Sequence, residues 1–151
     1  MLAEQDRSRW DTVAVARADG YLARAAAMRR PGRFQLQAAI AGCHASAPTA
    51  ADTDWLEILI LYDMLGRFDP SPVVRLNRAV ALAEVAGPAV ALADVDQLAE
   101  RLADYHLFHA TRAVLLTRLG DTEAARAANE RALALTGNPA EQLLLRTRLP
   151  D

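Results

Sequence analysis

A chain of 151 residues, 52% hydrophobic and 24% charged, is long enough for one domain with a real core and too apolar for a disordered tail. Its net charge of −2 argues against a free-standing nucleic-acid binder. One cysteine excludes an internal disulfide and makes the cytoplasm the expected compartment.

No stretch approaches the ~18 apolar residues of a membrane span, so no membrane partner is expected. The opening Met1-Leu2-Ala3-Glu4-Gln5-Asp6-Arg7 lacks a signal-peptide core. It reads as the interior of a helix, as expected for a piece of a longer protein. All 17 basic residues are arginine. The charge is uneven: +3 over residues 1–33, −4 over 34–66 and −1 over the rest.

The first helix is expected over Trp10–Met28, with Trp10, Val13, Tyr21, Leu22, Ala25 and Met28 on one stripe. Gly20 within it points to a close helix crossing or a break. Pro31-Gly32 ends this stretch, and Phe34–Ala47 forms the second helix with Leu36, Ile40 and Cys43 on one side. Pro48–Thr53 reads as a polar loop. Asp54 is placed to cap a third helix, Trp55–Phe68, with Glu57 three residues on. Apolar residues cover most of the circumference of that helix, which places it at the centre of the fold.

Ser71 and Pro72 suit the start of a fourth helix, Pro72–Ala86. Gly87-Pro88 repeats that chemistry before a fifth, Pro88–Leu102. Tyr105–Leu119 is the sixth, Gly120-Asp121 stops it and caps the seventh, Thr122–Thr136, and Gly137-Asn138-Pro139 precedes a short eighth, Ala140–Leu149.

Gly87 and Gly120 lie 33 residues apart, each between two helices, close to the tetratricopeptide period of 34. Ala124, Ala125 and Ala132 supply the small residues that let paired helices approach. Asn129 departs from the pattern, standing where that repeat buries an aromatic ring. The expected architecture is all-α: antiparallel helix pairs stacked in a tetratricopeptide-like right-handed array of seven or eight helices, one domain over residues 1–151. An irregular helical bundle is the alternative.

Catalytic signatures are sparse. His106 and His109 share a helix face, but a metal site needs three or four ligands and nothing completes this one, so no metal or cofactor is expected. Flanking the packing of Tyr105 and Phe108, or bonding to backbone at a helix junction, is the simpler role. Cys43 and His44 are neighbours that diverge on a helix, and Cys43 reads as a small core residue. Asp94 and Asp96 diverge in the same way. No phosphate loop or dinucleotide fingerprint is present, and no catalytic residue is assigned.

Asn77-Arg78 interrupts an apolar helix. Asn77 either ties that helix to a neighbouring loop or, with Arg78, lines a concave groove. The candidate interaction groove comprises Gln37, His44, Asp54, Trp55, Tyr62, Asn77, Arg78, His106 and His109. Arg29, Arg30 and Arg33 form a candidate basic contact, or a solvated turn.

Six strings carry a family resemblance: Asp6-Arg7-Ser8-Arg9-Trp10-Asp11; Arg30-Pro31-Gly32-Arg33-Phe34-Gln35-Leu36-Gln37-Ala38-Ala39-Ile40-Ala41 continuing to His44-Ala45; Thr53-Asp54-Trp55 with Leu61-Tyr62; Pro70-Ser71-Pro72-Val73-Val74 with Leu76-Asn77-Arg78-Ala79-Val80-Ala81; Tyr105-His106-Leu107 with His109-Ala110; and Gly137-Asn138-Pro139-Ala140-Glu141. In this order they resemble the C-terminal tetratricopeptide-like extension of extracytoplasmic-function-type bacterial RNA polymerase sigma factors. Phe34 replaces a tyrosine and Arg33 a small residue or proline of that pattern.

The resemblance implies a non-enzymatic domain that regulates transcription initiation. It would contact the sigma factor's DNA-binding modules, core RNA polymerase, or both. Promoter DNA would be contacted by the full-length protein rather than by this domain. A stand-alone scaffold binding a partner peptide and a small-molecule sensor are the rival expectations.

Overall fold

The structure, a computed structural model, describes residues 5–147. It is all-helical, with no strand among the described residues. A short 3-10 turn, Arg7–Arg9, precedes eight α-helices: α1 (Thr12–Ala27), α2 (Arg33–Ser46), α3 (Trp55–Leu65), α4 (Pro72–Ala86), α5 (Pro88–Asp96), α6 (His106–Leu119), α7 (Thr122–Leu135) and α8 (Pro139–Arg146). Helices adjacent in sequence pack on one another, α1 on α2 and α2 on α3, then α5 on α6, α6 on α7 and α7 on α8. This is a repeat-like all-α array. Two compact units divide it, one ending at Val74 and one beginning at Arg75.

Caps fix where the helices begin. Asp11, Asp54 and Asp121 each accept a bond from the backbone N–H three residues on, at 2.9, 2.9 and 3.1 Å. Each satisfies one orphan donor of a first turn. Gly120 ends α6 in the left-handed region at φ 81°, and Gly87 has φ 91° before α5. A side chain at either position would be strained, so the 33-residue glycine spacing marks two true breaks.

In the first unit the core is small. Leu36 and Ile40 of α2 and Ile58, Leu59 and Leu65 of α3 are buried. Two sequence expectations are corrected here. Helix α1 buries no residue fully, and Val13 is 76% exposed, with Tyr21 and Met28 also exposed. Leu22 and Ala25 of the expected stripe are half-buried, and the inner face continues through Val15 and Asp19. Nor is α3 enclosed on all sides, since Leu56 and Ile60 are 57% and 51% exposed. These two residues are one turn apart and form a ridge opposite the buried Ile58 and Leu65.

Gly20 is neither a break nor a crossing: α1 runs through it, and a Cβ there would meet nothing within 4 Å. The close approach is at Gly42 of α2, where a Cβ would lie 3.3 Å from Leu22 Cδ1. Gly20→Ala is therefore expected to stabilise the protein by about 0.5–1 kcal/mol, read as a raised thermal midpoint. Gly42→Ala should show no such gain.

The second unit is built on alanine. Ala113, Leu116, Ala125 and Ala128 form a buried cluster at the α6–α7 hairpin, flanked by Leu92 and Ala124. Asp121 N–H reaches back to Leu116 O at 3.1 Å, which closes that hairpin. Asn129, 2% exposed, donates its Nδ2 to Leu145 O at 2.7 Å. The residue that departs from the repeat pattern thus fastens α7 to α8 in place of a packed ring.

Helix α5 is shorter than expected and stops at Asp96 rather than Leu102. Beyond it, Leu98, Ala99 and Arg101 bond to carbonyls three residues back, a tighter winding than the α-helix. Similarly, α3 gives way to turns at Gly66, before Phe68. The chain at Asp6 caps a 3-10 turn rather than continuing a helix. Met1 to Glu4 and the expected end of the last helix at Leu149 lie outside the described residues.

Candidate interaction cleft

Helix α2 lies between α1 and α3 in the first unit, and one of its faces is left open between them. That face carries Gln35, Ala39, Gly42, Cys43 and Ser46, which recur at helical spacing and are mostly small. The result is a cleft of about 560 Å³, within the range of a small-ligand or short-peptide site. Leu22 of α1 and Leu61 and Met64 of α3 form its apolar walls.

Charge is distributed along the cleft by the antiparallel order of the helices. Arg29 and Arg30, just past the end of α1, sit with Gln35 and Met64. Asp19, Ser46 and Glu57 sit toward the other end, where Ser46 Oγ donates to Asp19 at 3.4 Å. Neither Arg29 nor Arg30 has an ion-pair partner among the described residues. Arg29 holds φ at 52°, a left-handed position that a long side chain occupies at a cost.

Cys43 lies in the cleft wall. Burial, and then the carboxylates of Glu57 and Asp54, push its thiol up to about 11. The thiol is therefore protonated at neutral pH and a poor nucleophile. Alkylation by iodoacetamide at pH 8 is expected to run at least about tenfold slower than for an unperturbed cysteine, measured by mass spectrometry on folded and denatured protein.

The sequence-derived candidates are placed as follows. Arg29 and Arg30 border the cleft, whereas Arg33 lies over the Phe34 ring at 4.9 Å. Gln37 is exposed, and its neighbour Gln35 is the glutamine at the cleft. Asp54 caps α3. Burial raises the half-buried Tyr62 hydroxyl. His44 and Trp55 are brought together, ring edge to ring face at 5.3 Å.

Arg7 secures the end of α2 beside that pair. Its Nη1 donates to the carbonyls of His44 and Ala47 at 2.6 Å each, and its guanidinium lies 4.9 Å from the Trp10 ring. Two orphan carbonyls of a helix C-terminus are satisfied by one cation.

Burial, and next the Arg7 charge, lower the His44 pKa. The unfolded chain therefore takes this proton first as pH falls through about 6.5. Stability tied to His44 is complete above that pH and is lost below it. The denaturation midpoint is expected to fall between pH 7.5 and 5.5, and His44→Gln should reduce that fall.

In the second unit Asn77 is exposed, so it does not tie α4 to a loop from within the core. Arg78 approaches Asp94 at 3.7 Å, and Arg75 Nε bonds the same carboxylate at 3.0 Å. Asp96 pairs instead with Arg112 at 2.6 Å, so the two acids do diverge. His106 Nε2 lies 2.9 Å from Glu141 at ion-pair distance but off the hydrogen-bonding axis. His109 Nε2 meets Ala103 O at 2.7 Å. No group of three metal-ligating side chains occurs among the described residues, and none of their helices is long and apolar enough to cross a membrane.

Sequence reasoning missed Asp19, Glu57 and Met64 as cleft residues, whereas Gln35, flanking Leu36 with Gln37, poses the choice between groove and structural tie from sequence and lies at the cleft. The small-residue face of α2 was the legible signal, since it leaves room that only a neighbour or a ligand can fill.

The chain is 46% identical over 149 residues to an uncharacterized protein of Rhizobium meliloti (strain 1021), a match covering 99% of this chain. The chain spans 35% of the length of that curated relative. No protein-family model matches the chain. No solved structure matches it.

Proposed function

We propose that this chain is a regulatory protein-interaction domain of a bacterial RNA polymerase sigma factor, itself non-catalytic, acting in the cytoplasm on transcription initiation. The observation that carries the reading is the run of six strings, in order over nearly the whole chain, that resembles the tetratricopeptide-like extension of such factors. Its partners are the sigma factor's DNA-binding modules, core RNA polymerase, or both. DNA is contacted by the full-length protein.

Two further facts support it. A repeat-like helical array offers the kind of extended surface used for protein contact. The matched relative holds about 275 residues outside the matched region, room for about two further domains.

The test begins with the reading frame around this region of the gene. Continuation upstream into two helical modules, the second with a helix-turn-helix, is expected. A stop codon and ribosome-binding site directly upstream would sink the proposal. Run-off transcription with the full-length protein, intact and lacking this region, then measures the regulation. A change of about tenfold or more is expected, and equal transcript levels would overturn the regulatory role. A stand-alone peptide-binding scaffold is the second reading, favoured by the open cleft on α2.

A further inference from the structure

The cleft on α2 is polar at its two ends and apolar between them. Gln35 at one end and Ser46 at the other are about 16 Å apart along the helix. Arg29 and Arg30 stand at the first end without ion-pair partners among the described residues, and Asp19 and Glu57 stand at the second. Leu22, Ala39, Leu61 and Met64 lie in the cleft with them.

An anionic amphiphile would satisfy the arginines but lay its tail toward two carboxylates. A uniformly acidic or basic segment would meet repulsion at one end. The chemistry that matches both ends is a segment with opposite charges at its ends and apolar side chains between. In extended form about five residues span this distance.

Arg29 stands in a left-handed position after α1. Glycine or asparagine is the usual occupant of a left-handed position after a helix, and an arginine there brings a second cation to the mouth of the cleft.

We infer that the cleft binds a short peptide segment of a partner protein, about five residues long, with an acidic residue against Arg29 and Arg30, apolar residues over the middle, and a basic residue against Asp19 and Glu57. This rests on the reading that the domain works by protein contact, and it names the partner's chemistry.

The probes are capped pentapeptides in four sets: acid–three apolar–base, the reverse order, acid at both ends, and apolar throughout. Binding is followed by amide shifts of the isotopically labelled chain. One of the two bipolar sets is expected to bind with Kd of about 0.01–1 mM, shifting Ala39, Gly42 and Met64. Arg29→Glu with Arg30→Glu, on exposed positions that leave the fold intact by circular dichroism, should weaken it at least about tenfold. Glu57→Gln should weaken it less, without abolishing it.

Several results would overturn the inference. Absence of cleft shifts at about 5 mM of any peptide is one, and equal binding of the apolar set is another. Binding of the doubly acidic set or of laurate as tight as the bipolar set would assign an anionic ligand. The same shifts on raising the protein concentration without peptide would assign the cleft to a second copy. If peptides fail while deletion of the region still alters transcription, only this inference falls. If peptides bind while deletion changes nothing, the sigma-factor reading falls and the cleft stands.

Discussion

Phe108→Ala is expected to destabilise the second unit by about 3–5 kcal/mol. The ring is 2% exposed, in the first turn of α6, where its N–H bonds Tyr105 O at 3.0 Å. Much of that unit's core is alanine, including Ala113, Ala125, Ala128 and Ala132. One phenyl ring therefore supplies an unusual share of the apolar area buried there, and a close-packed interior refills such a space only in part. Urea unfolding followed by circular dichroism measures the loss. Phe108→Leu should cost much less, because it keeps most of the volume. Equal losses for the two variants would mean that the space refills and that Phe108 is no keystone.

The fold was largely legible because its punctuation is strong. Aspartate caps, Pro72 and Pro88 at helix starts and the two positive-φ glycines act locally, and local chemistry survives tertiary context. All eight helices were expected, most within a few residues. What failed was inference from apolar pattern to burial. Val13, Tyr21, Leu56 and Ile60 have core-like identities, but burial depends on whether another element lies opposite, which periodicity does not encode.

The site was harder for the same reason. Arg29 and Arg30 stood out as a basic cluster, and both border the cleft. Glu57 reads as a companion of the Asp54 cap and Asp19 belongs to no motif, because the property that matters is their position at the far end of the cleft from the arginines. His44 and Trp55 were both singled out, and they touch, yet their pairing with the Arg7 cap joins residues 37 positions apart. In the sequence Asn129 stands out only as an exception to a repeat. Its bond to Leu145 O turns that exception into the joint between α7 and α8.

Ile58→Ala is expected to cost about 2–5 kcal/mol in the first unit, while Leu56→Ala, two residues away on the same helix, should stay within about 0.5 kcal/mol. Ile58 is 1% exposed and Leu56 is 57% exposed. The comparison holds the helix and nearly the volume removed constant, and changes only the side of α3 on which the atoms are lost. Trp55, one residue from Leu56 and half-buried against the His44 ring, gives a fluorescence signal for this unit. A large loss at Ile58 alone means that α3 is held by its α2-facing side and that the Leu56–Ile60 ridge stands outside the core. Comparable losses at both positions would mean that the ridge is covered in solution, and α3 would then be the enclosed central helix that its composition suggests. The cleft depends on the same contact, because α3 carries Glu57, Leu61 and Met64. Peptide affinity should therefore fall with Ile58→Ala, in step with the unfolded fraction, and be untouched by Leu56→Ala.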